Sequence, residues 1–108
     1  MEINSLNINK PIIIELLDDN EEWKEYYKCR AHVQFIGGNE NISSGAEQSN
    51  TETLFAIRYC KKASQIEFDT QSYRIRFNGA IFDLTSCDND GYRNVLIVMK
   101  GKGQRERN

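Results

Sequence analysis

Apolar and polar residues alternate along much of this chain in short runs, a pattern that predicts strands. Between Tyr26 and Phe35 the sequence places Tyr27, Cys29, Ala31, Val33 and Phe35 on one parity and Tyr26, Lys28, Arg30, His32 and Gln34 on the other, as in a half-buried strand. Trp23 and Glu25 share the inward parity, so a bend or bulge is predicted near Lys24 to Tyr26. Upstream, Pro11 to Leu17 carries Ile12, Ile13, Ile14, Leu16 and Leu17, long enough for a strand and too short for a typical helix, with Pro11 suited to a strand's first position. The acidic cluster Asp18-Asp19-Asn20-Glu21-Glu22 reads as the turn between these two strands.

Downstream, Thr53 to Cys60 sets Phe55, Ile57 and Tyr59 on one face and Leu54, Ala56 and Arg58 on the other. The clearest signal follows, where Asn78-Gly79 separates two alternating runs. Both residues tolerate the positive φ that a two-residue hairpin turn requires. That turn pairs Phe77 with Ala80, Arg76 with Ile81, Ile75 with Phe82, Arg74 with Asp83 and Tyr73 with Leu84. It buries Tyr73, Ile75, Phe77, Phe82 and Leu84 together and sets Arg74 against Asp83 outside. Cys87 to Tyr92 is expected to turn the chain again, and Val95 to Met99, apolar on both faces, to form a covered last strand.

Two polar stretches interrupt the strands. Gly37 to Glu52 has Ile42 as its only large apolar side chain, so it is expected to be a mobile loop. Lys61 to Ser72 is a second connection in which Ile66 and Phe68 could add a short strand. The predicted fold is all-β, a small antiparallel barrel or sandwich of five to six strands with one long mobile loop. At 108 residues the chain fits a single domain, with 1–10 and 101–108 expected to be flexible and removal of Lys102 to Asn108 expected to be tolerated.

Composition narrows the function classes. A net charge of −2 and an isoelectric point near 5.4 give no overall positive field to recruit nucleic acid or an anionic membrane. The start lacks a signal-peptide layout, and no apolar run reaches transmembrane length. The three cysteines, Cys29, Cys60 and Cys87, are odd in number and lack CxxC spacing, so reduced structural thiols are expected, Cys29 reacting most slowly. Asn41-Ile42-Ser43 is a sequon with no meaning without secretion. Neither the acidic stretch Glu15 to Glu25 nor Asp88-Asn89-Asp90-Gly91 has the ordered spacing of a calcium loop. Gly37-Gly38 lacks the context of a phosphate-binding loop. His32 is the sole histidine, placed outward beside Arg30 and Gln34 without a nucleophile or orienting carboxylate in sequence. Tyr73 and Phe77 point inward while Arg74 and Arg76 point outward, so they do not form one base-stacking surface. No catalytic residue, metal or cofactor is expected.

Several segments together resemble a known family. Ile57-Arg58-Tyr59, then Tyr73 to Ser86 around Asn78-Gly79, then Arg93-Asn94-Val95-Leu96-Ile97-Val98-Met99-Lys100 are similar in order and spacing to the head-tail joining proteins of long-tailed phages and prophages. Trp23, Ala31, Val33 and Gly38-Asn39-Glu40 extend the likeness, which spans roughly Ile12 to Lys100. Lys61 to Ser72 is longer than the family's usual connection and lacks its Pro/Gly turn. The resemblance implies a non-enzymatic head-closure, adaptor or stopper protein, located in the virion and assembled in the bacterial host cytoplasm. It would form a homo-oligomeric ring between portal or adaptor proteins above and tail proteins below and help retain the genome, with packaged DNA at most passing through the channel and no membrane involved. Exposed strand edges and long loops would supply the ring contacts. Gly37, Gly38, Asn39, Glu40, Glu47 and Glu52 are the candidate partner or channel loop, and Arg30, His32, Arg58, Arg74 and Arg76 the candidate inter-subunit face. Alternatives are a tail-completion protein of the same neck and an oligonucleotide-binding barrel.

Overall fold

The computed structural model describes residues 6–36 and 52–103. Its strands are β1 (Lys10–Leu17), β2 (Trp23–Phe35), β3 (Glu52–Arg58), β4 (Tyr73–Phe77), β5 (Ala80–Asn89) and β6 (Leu96–Gly103), with one helical turn, α1 (Lys61–Ser64), between β3 and β4. All neighbours run antiparallel, and the order β1-β2-β3-β6-β5-β4 closes on itself through β1 and β4. The fold is therefore a six-stranded barrel. Closure pairs both flanks of each strand, so the strand edges invoked above for ring contacts are occupied within the barrel itself.

The interior is filled by alternate side chains of every strand. Ile12, Ile14, Ala31, Phe55, Ile57, Ile75, Phe82, Leu84, Cys87, Ile97 and Met99 form one buried cluster, and Phe55 packs edge-on against Phe77 and Phe82 at ring-centroid distances of 6.1 and 5.2 Å. β3 is buried on both faces: Leu54 and Ala56, of outward parity, are 8% and 0% exposed beside Phe55 and Ile57 at 0% and 1%, and β3 lies between β2 and β6.

Asn78 and Gly79 hold φ of 54° and 82°, and Phe77–Ala80, Arg76–Ile81, Ile75–Phe82 and Arg74–Asp83 face one another. On β2 the bulge falls at Tyr26, since Ile14 faces Tyr27 while Glu15 faces Glu25. The extra residue re-aims Tyr26, whose hydroxyl donates to the Lys62 carbonyl at 2.6 Å, with the Lys62 ammonium 4.8 Å from its ring. The bulge thus ties β2 to the crossover.

That crossover corrects one expectation. Lys61 to Ser72 contains no strand: α1 is followed by 3₁₀ turns at Gln65–Phe68 and Thr70–Ser72. Cys60 starts it with an extended backbone and a thiol that accepts the Ala63 N–H at 3.4 Å. Ala63 and Ile66 are fully buried under it, so helical spacing serves to plug one end of the barrel, which a strand would leave open.

A second correction concerns β5. It continues through Cys87 to Asn89 where a turn was expected, and the turn is Asp90–Tyr92. Leu84 faces Gly101 while Ser86 faces Lys100, leaving Thr85 as an extra residue. That bulge shifts the alternation, so Cys87, at 6% exposure, points inward. At the other end β6 runs to Gly103 and takes up three residues assigned to a flexible tail. Lys102 and Gly103 pair with Asp83 and Phe82, and Lys102 also with Glu52, which withdraws the expectation that removal from Lys102 onward is harmless. Phe35 keeps its place on β2 but is 68% exposed, because β2 there emerges from the barrel's rim, paired with the first residues of β3.

Candidate partner-binding surfaces

Strand pairing sorts the molecule into two ends. Lys10, Phe35, Glu52, Gly103 and the Asn78-Gly79 turn lie at one, here the open end. The β1–β2 turn, the crossover and the β5–β6 turn lie at the other, the plugged end. Of the candidate loop, Glu52 is the first residue of β3; Gly37, Gly38, Asn39, Glu40 and Glu47 lie outside the described residues. Their anchors Ile36 and Glu52 are joined by an N–H to carbonyl hydrogen bond of 2.9 Å at the open end.

The five residues of the candidate inter-subunit face come to the outer wall but divide by role. Arg30, Arg58 and Arg76 are exposed, and His32 is partly covered beside Gln34, whose side-chain oxygen lies 3.2 Å from His32 Nε2. Arg30 Nη1 donates to the Asn9 carbonyl at 3.1 Å, a bond at the exposed surface that engages one edge of the guanidinium. Arg74 is a structural residue. Its guanidinium stacks 4.3 Å from the Trp23 ring centroid, and its Nε donates to Glu15 Oε1 at 2.7 Å. Both partners are about 15% exposed, and Arg76 adds a longer ion pair of 3.8 Å to the same carboxylate. Sequence reasoning set Arg74 against Asp83, its partner across the hairpin; β4 also neighbours β1, and that second flank is visible only once the barrel closes.

Charge is segregated along the barrel. At the plugged end, segments 18–25, 58–72 and 88–94 hold nine carboxylates against five basic side chains, whereas the remaining described residues hold three against seven. Exposed apolar groups sit at both ends: Phe35 and Ile36 at the open one, Phe68, Tyr92 and Val95 at the plugged one. The exposed aromatics Phe68 and Tyr92 were not singled out in the sequence, where Phe68 reads as a strand residue and Tyr92 as part of a turn.

The acidic turn is self-contained. Asp18 Oδ1 accepts the N–H groups of Asn20 and Glu22 at 2.8 and 2.9 Å, and the bond from Glu22 holds its carboxyl below the usual range. Inside the wall, burial pushes the Cys29 and Cys87 thiols up to about 11 and about 12, with Glu67 and Asp88 adding to the effect at Cys87. Among the described residues no group of three or more His, Cys, Asp or Glu is placed to hold a metal ion.

The fold is a small closed barrel with differentiated outer surfaces, an architecture that by itself leaves the function open. The family model described as phage head completion protein matches residues 17–102, most of the chain, and the chain belongs to that family. It is a structural component of phage head completion, a virion protein whose contacts are with other phage head and tail proteins. A solution structure of protein SF1141 from Shigella flexneri 2a is similar in fold, with a TM-score of 0.62 at 24% identity over 99% of this chain and all of that one. Comparison with curated proteins found no match.

Proposed function

We propose that this protein forms a homo-oligomeric ring at the phage neck that joins the DNA-filled head, through portal or adaptor proteins, to the tail and helps to retain the genome. The observation that carries this finer reading is the chemical difference between the barrel's two ends, one rich in carboxylates and plugged by the crossover, the other bearing the anchors of segment 37–51, with basic side chains outnumbering carboxylates among the described residues outside the plugged end. A component that meets different neighbours above and below requires two unlike faces, and a ring requires repeated heterologous contacts between identical copies. With the strand edges consumed by closure, those contacts fall to outward side chains and to loops. Glu40, Glu47 and Glu52 would disfavour tight binding to packaged DNA and suit contact with protein or a smooth channel lining. An oligonucleotide-binding barrel is disfavoured, because the exposed Phe68 and Tyr92 belong to the carboxylate-rich end, which repels phosphate.

Complementation of a phage lacking this protein tests the reading. A variant with 37–51 replaced by a short Gly-Ser turn between Ile36 and Glu52 is expected to unfold at the wild-type midpoint yet to yield filled heads that leak DNA or fail to join tails. Normal titres of infectious particles would remove the loop from the function.

A further inference from the structure

Around the barrel β2 stands opposite β5 and β1 opposite β6, and these sides differ in what they show to solvent. On the β5 side of the plugged end, Phe68 and Tyr92 are each 75% exposed. Glu67 and Asp69 flank Phe68, and their turn packs against β5, which carries the exposed Asp88. Tyr92 holds a φ of 54°, a conformation that a bulky side chain adopts only at a cost and that glycine or asparagine adopts readily. The turn is clamped beneath it: Asn89 Nδ2 donates to Asn94 Oδ1 at 2.8 Å, and the Asn94 N–H donates to Asn89 Oδ1 at 3.1 Å. An aromatic ring is thus held outward in a rigid turn at a backbone position where a residue chosen for stability alone would be smaller.

The β1–β2 side is the chemical converse. Lys28 and Arg30 on β2 and Arg76 on β4 are exposed on either side of Pro11 and the partly exposed Ile13 of β1. The carboxylate of that stretch, Glu15, is engaged by Arg74 and Arg76. Flat aromatic rings with carboxylates beside them complement an aliphatic patch rimmed by cations, through apolar contact, cation–π stacking and ion pairs at once.

We propose that these two sides are the halves of one heterologous contact between copies of this chain, Phe68 and Tyr92 with Glu67 and Asp88 of one copy seating on Ile13, Lys28 and Arg30 of the next. Because the halves occupy opposite sides of the barrel, every copy offers both, and the contact repeats until the rotation per step closes it. The contact rests on the ring reading above and supplies the surfaces which that reading requires.

Sedimentation equilibrium of the full chain in low salt tests it. Wild type is expected to self-associate in a salt-sensitive way. Lys28→Glu with Arg30→Glu on one side, or Glu67→Lys with Asp88→Lys on the other, is expected to weaken association at least about tenfold, each variant keeping the wild-type melting transition. The decisive sample mixes the two variants: each reversed side then meets a complementary one, and association returns. A wild type that stays monomeric at millimolar concentration, variants that associate like wild type, or a mixture no better than its parts would each overturn the contact. Counting copies per purified virion by quantitative mass spectrometry reads the ring separately. Several copies alongside unaffected variants would discard this contact and keep the ring, and a single copy would discard the ring.

Discussion

Gly79 and Gly101 resist substitution for different physical reasons. A Cβ at Gly79 would meet nothing within 4 Å, but its φ is +82°, so Gly79→Val pays in backbone strain, about 1–3 kcal/mol. At Gly101 a Cβ would lie 3.1 Å from the Asp83 carbonyl oxygen and 3.2 Å from the Phe82 Cβ. Gly101→Ala is therefore expected to cost about 1–3 kcal/mol through crowding against a backbone that is already paired. Urea unfolding checks both, and an unchanged midpoint for Gly79→Val would count against the hairpin assignment. The first glycine was legible because Asn-Gly between alternating runs names its own turn; the second was not, because its constraint comes from the neighbouring strand β5, whose register against β6 only the structure gives. The thiols carry the same lesson. Burial raises Cys29 and Cys87, whereas Cys60 sits half-buried at the start of the crossover. Alkylation near neutral pH is expected to label Cys60 first and Cys87 last, read by peptide mass spectrometry; labelling of Cys87 before Cys29 would contradict the inward turn of β5 after Thr85. Alternation placed Cys29 inside as the slowest thiol and Cys87 among the faster ones; the structure reverses that order, Cys87 being buried and Cys29 intermediate, because a bulge shifts the phase without leaving a mark in the residue pattern.

At the scale of elements, register is fixed by charge as well as by apolar side chains. Glu15 faces Arg74, Arg74 faces Asp83, Asp83 faces Lys102 and Lys102 faces Glu52. Outward charges thus alternate in sign across four consecutive strand pairs, each pair contributing roughly 0.2–1 kcal/mol. A one-residue slip of any strand would turn its charge into the core. Lys102→Glu, which sets like charges between Asp83 and Glu52, is expected to lower stability by about 1 kcal/mol, and removal of the chain from Lys102 onward to lower it further by ending β6 early. A truncated protein with the wild-type urea midpoint would show that the end of β6 contributes nothing. The strands themselves were legible, since alternation and a two-residue turn are local signals. The crossover was not: its helical turns are too short for a helical period to stand out, and they form because Ala63 and Ile66 find an open barrel end to fill. Of the outer basic residues, parity placed Arg30, His32, Arg58, Arg74 and Arg76 outside, while the division between the Trp23-stacked Arg74 and its exposed neighbours required the closure of β1 against β4.

For the whole molecule, the side chains of the wall set the pH range in which the barrel stands. Four groups on three strands, β2, β4 and β5, have raised pKa values. Tyr27 is pushed up to about 12, first by its hydrogen bond with Cys60 and then by burial. Burial is the leading cause at Tyr73, Cys29 and Cys87, which reach about 12, about 11 and about 12. A raised value means that the folded state prefers the protonated form, so each group's contribution is complete below its ordinary value, 9.0 for the cysteines and 10.0 for the tyrosines, and is lost as pH climbs towards the folded value. Asp18 acts in the opposite sense: its lowered value stabilises the β1–β2 turn above the ordinary 3.8, and that contribution disappears as pH falls through the folded value. Because four titrations converge on the alkaline side against one exposed carboxyl on the acid side, the urea midpoint should be level from about pH 6 to about pH 8.5 and then fall steeply by about pH 10.5. Tyr73→Phe removes one of the four and keeps the ring that packs against Tyr26 at 5.0 Å, so its alkaline decline should be shallower than that of the wild type. Parallel declines would show that Tyr73 titrates alike in the folded and unfolded chains, and a midpoint unchanged between about pH 8.5 and about pH 10.5 would show the same of the whole set.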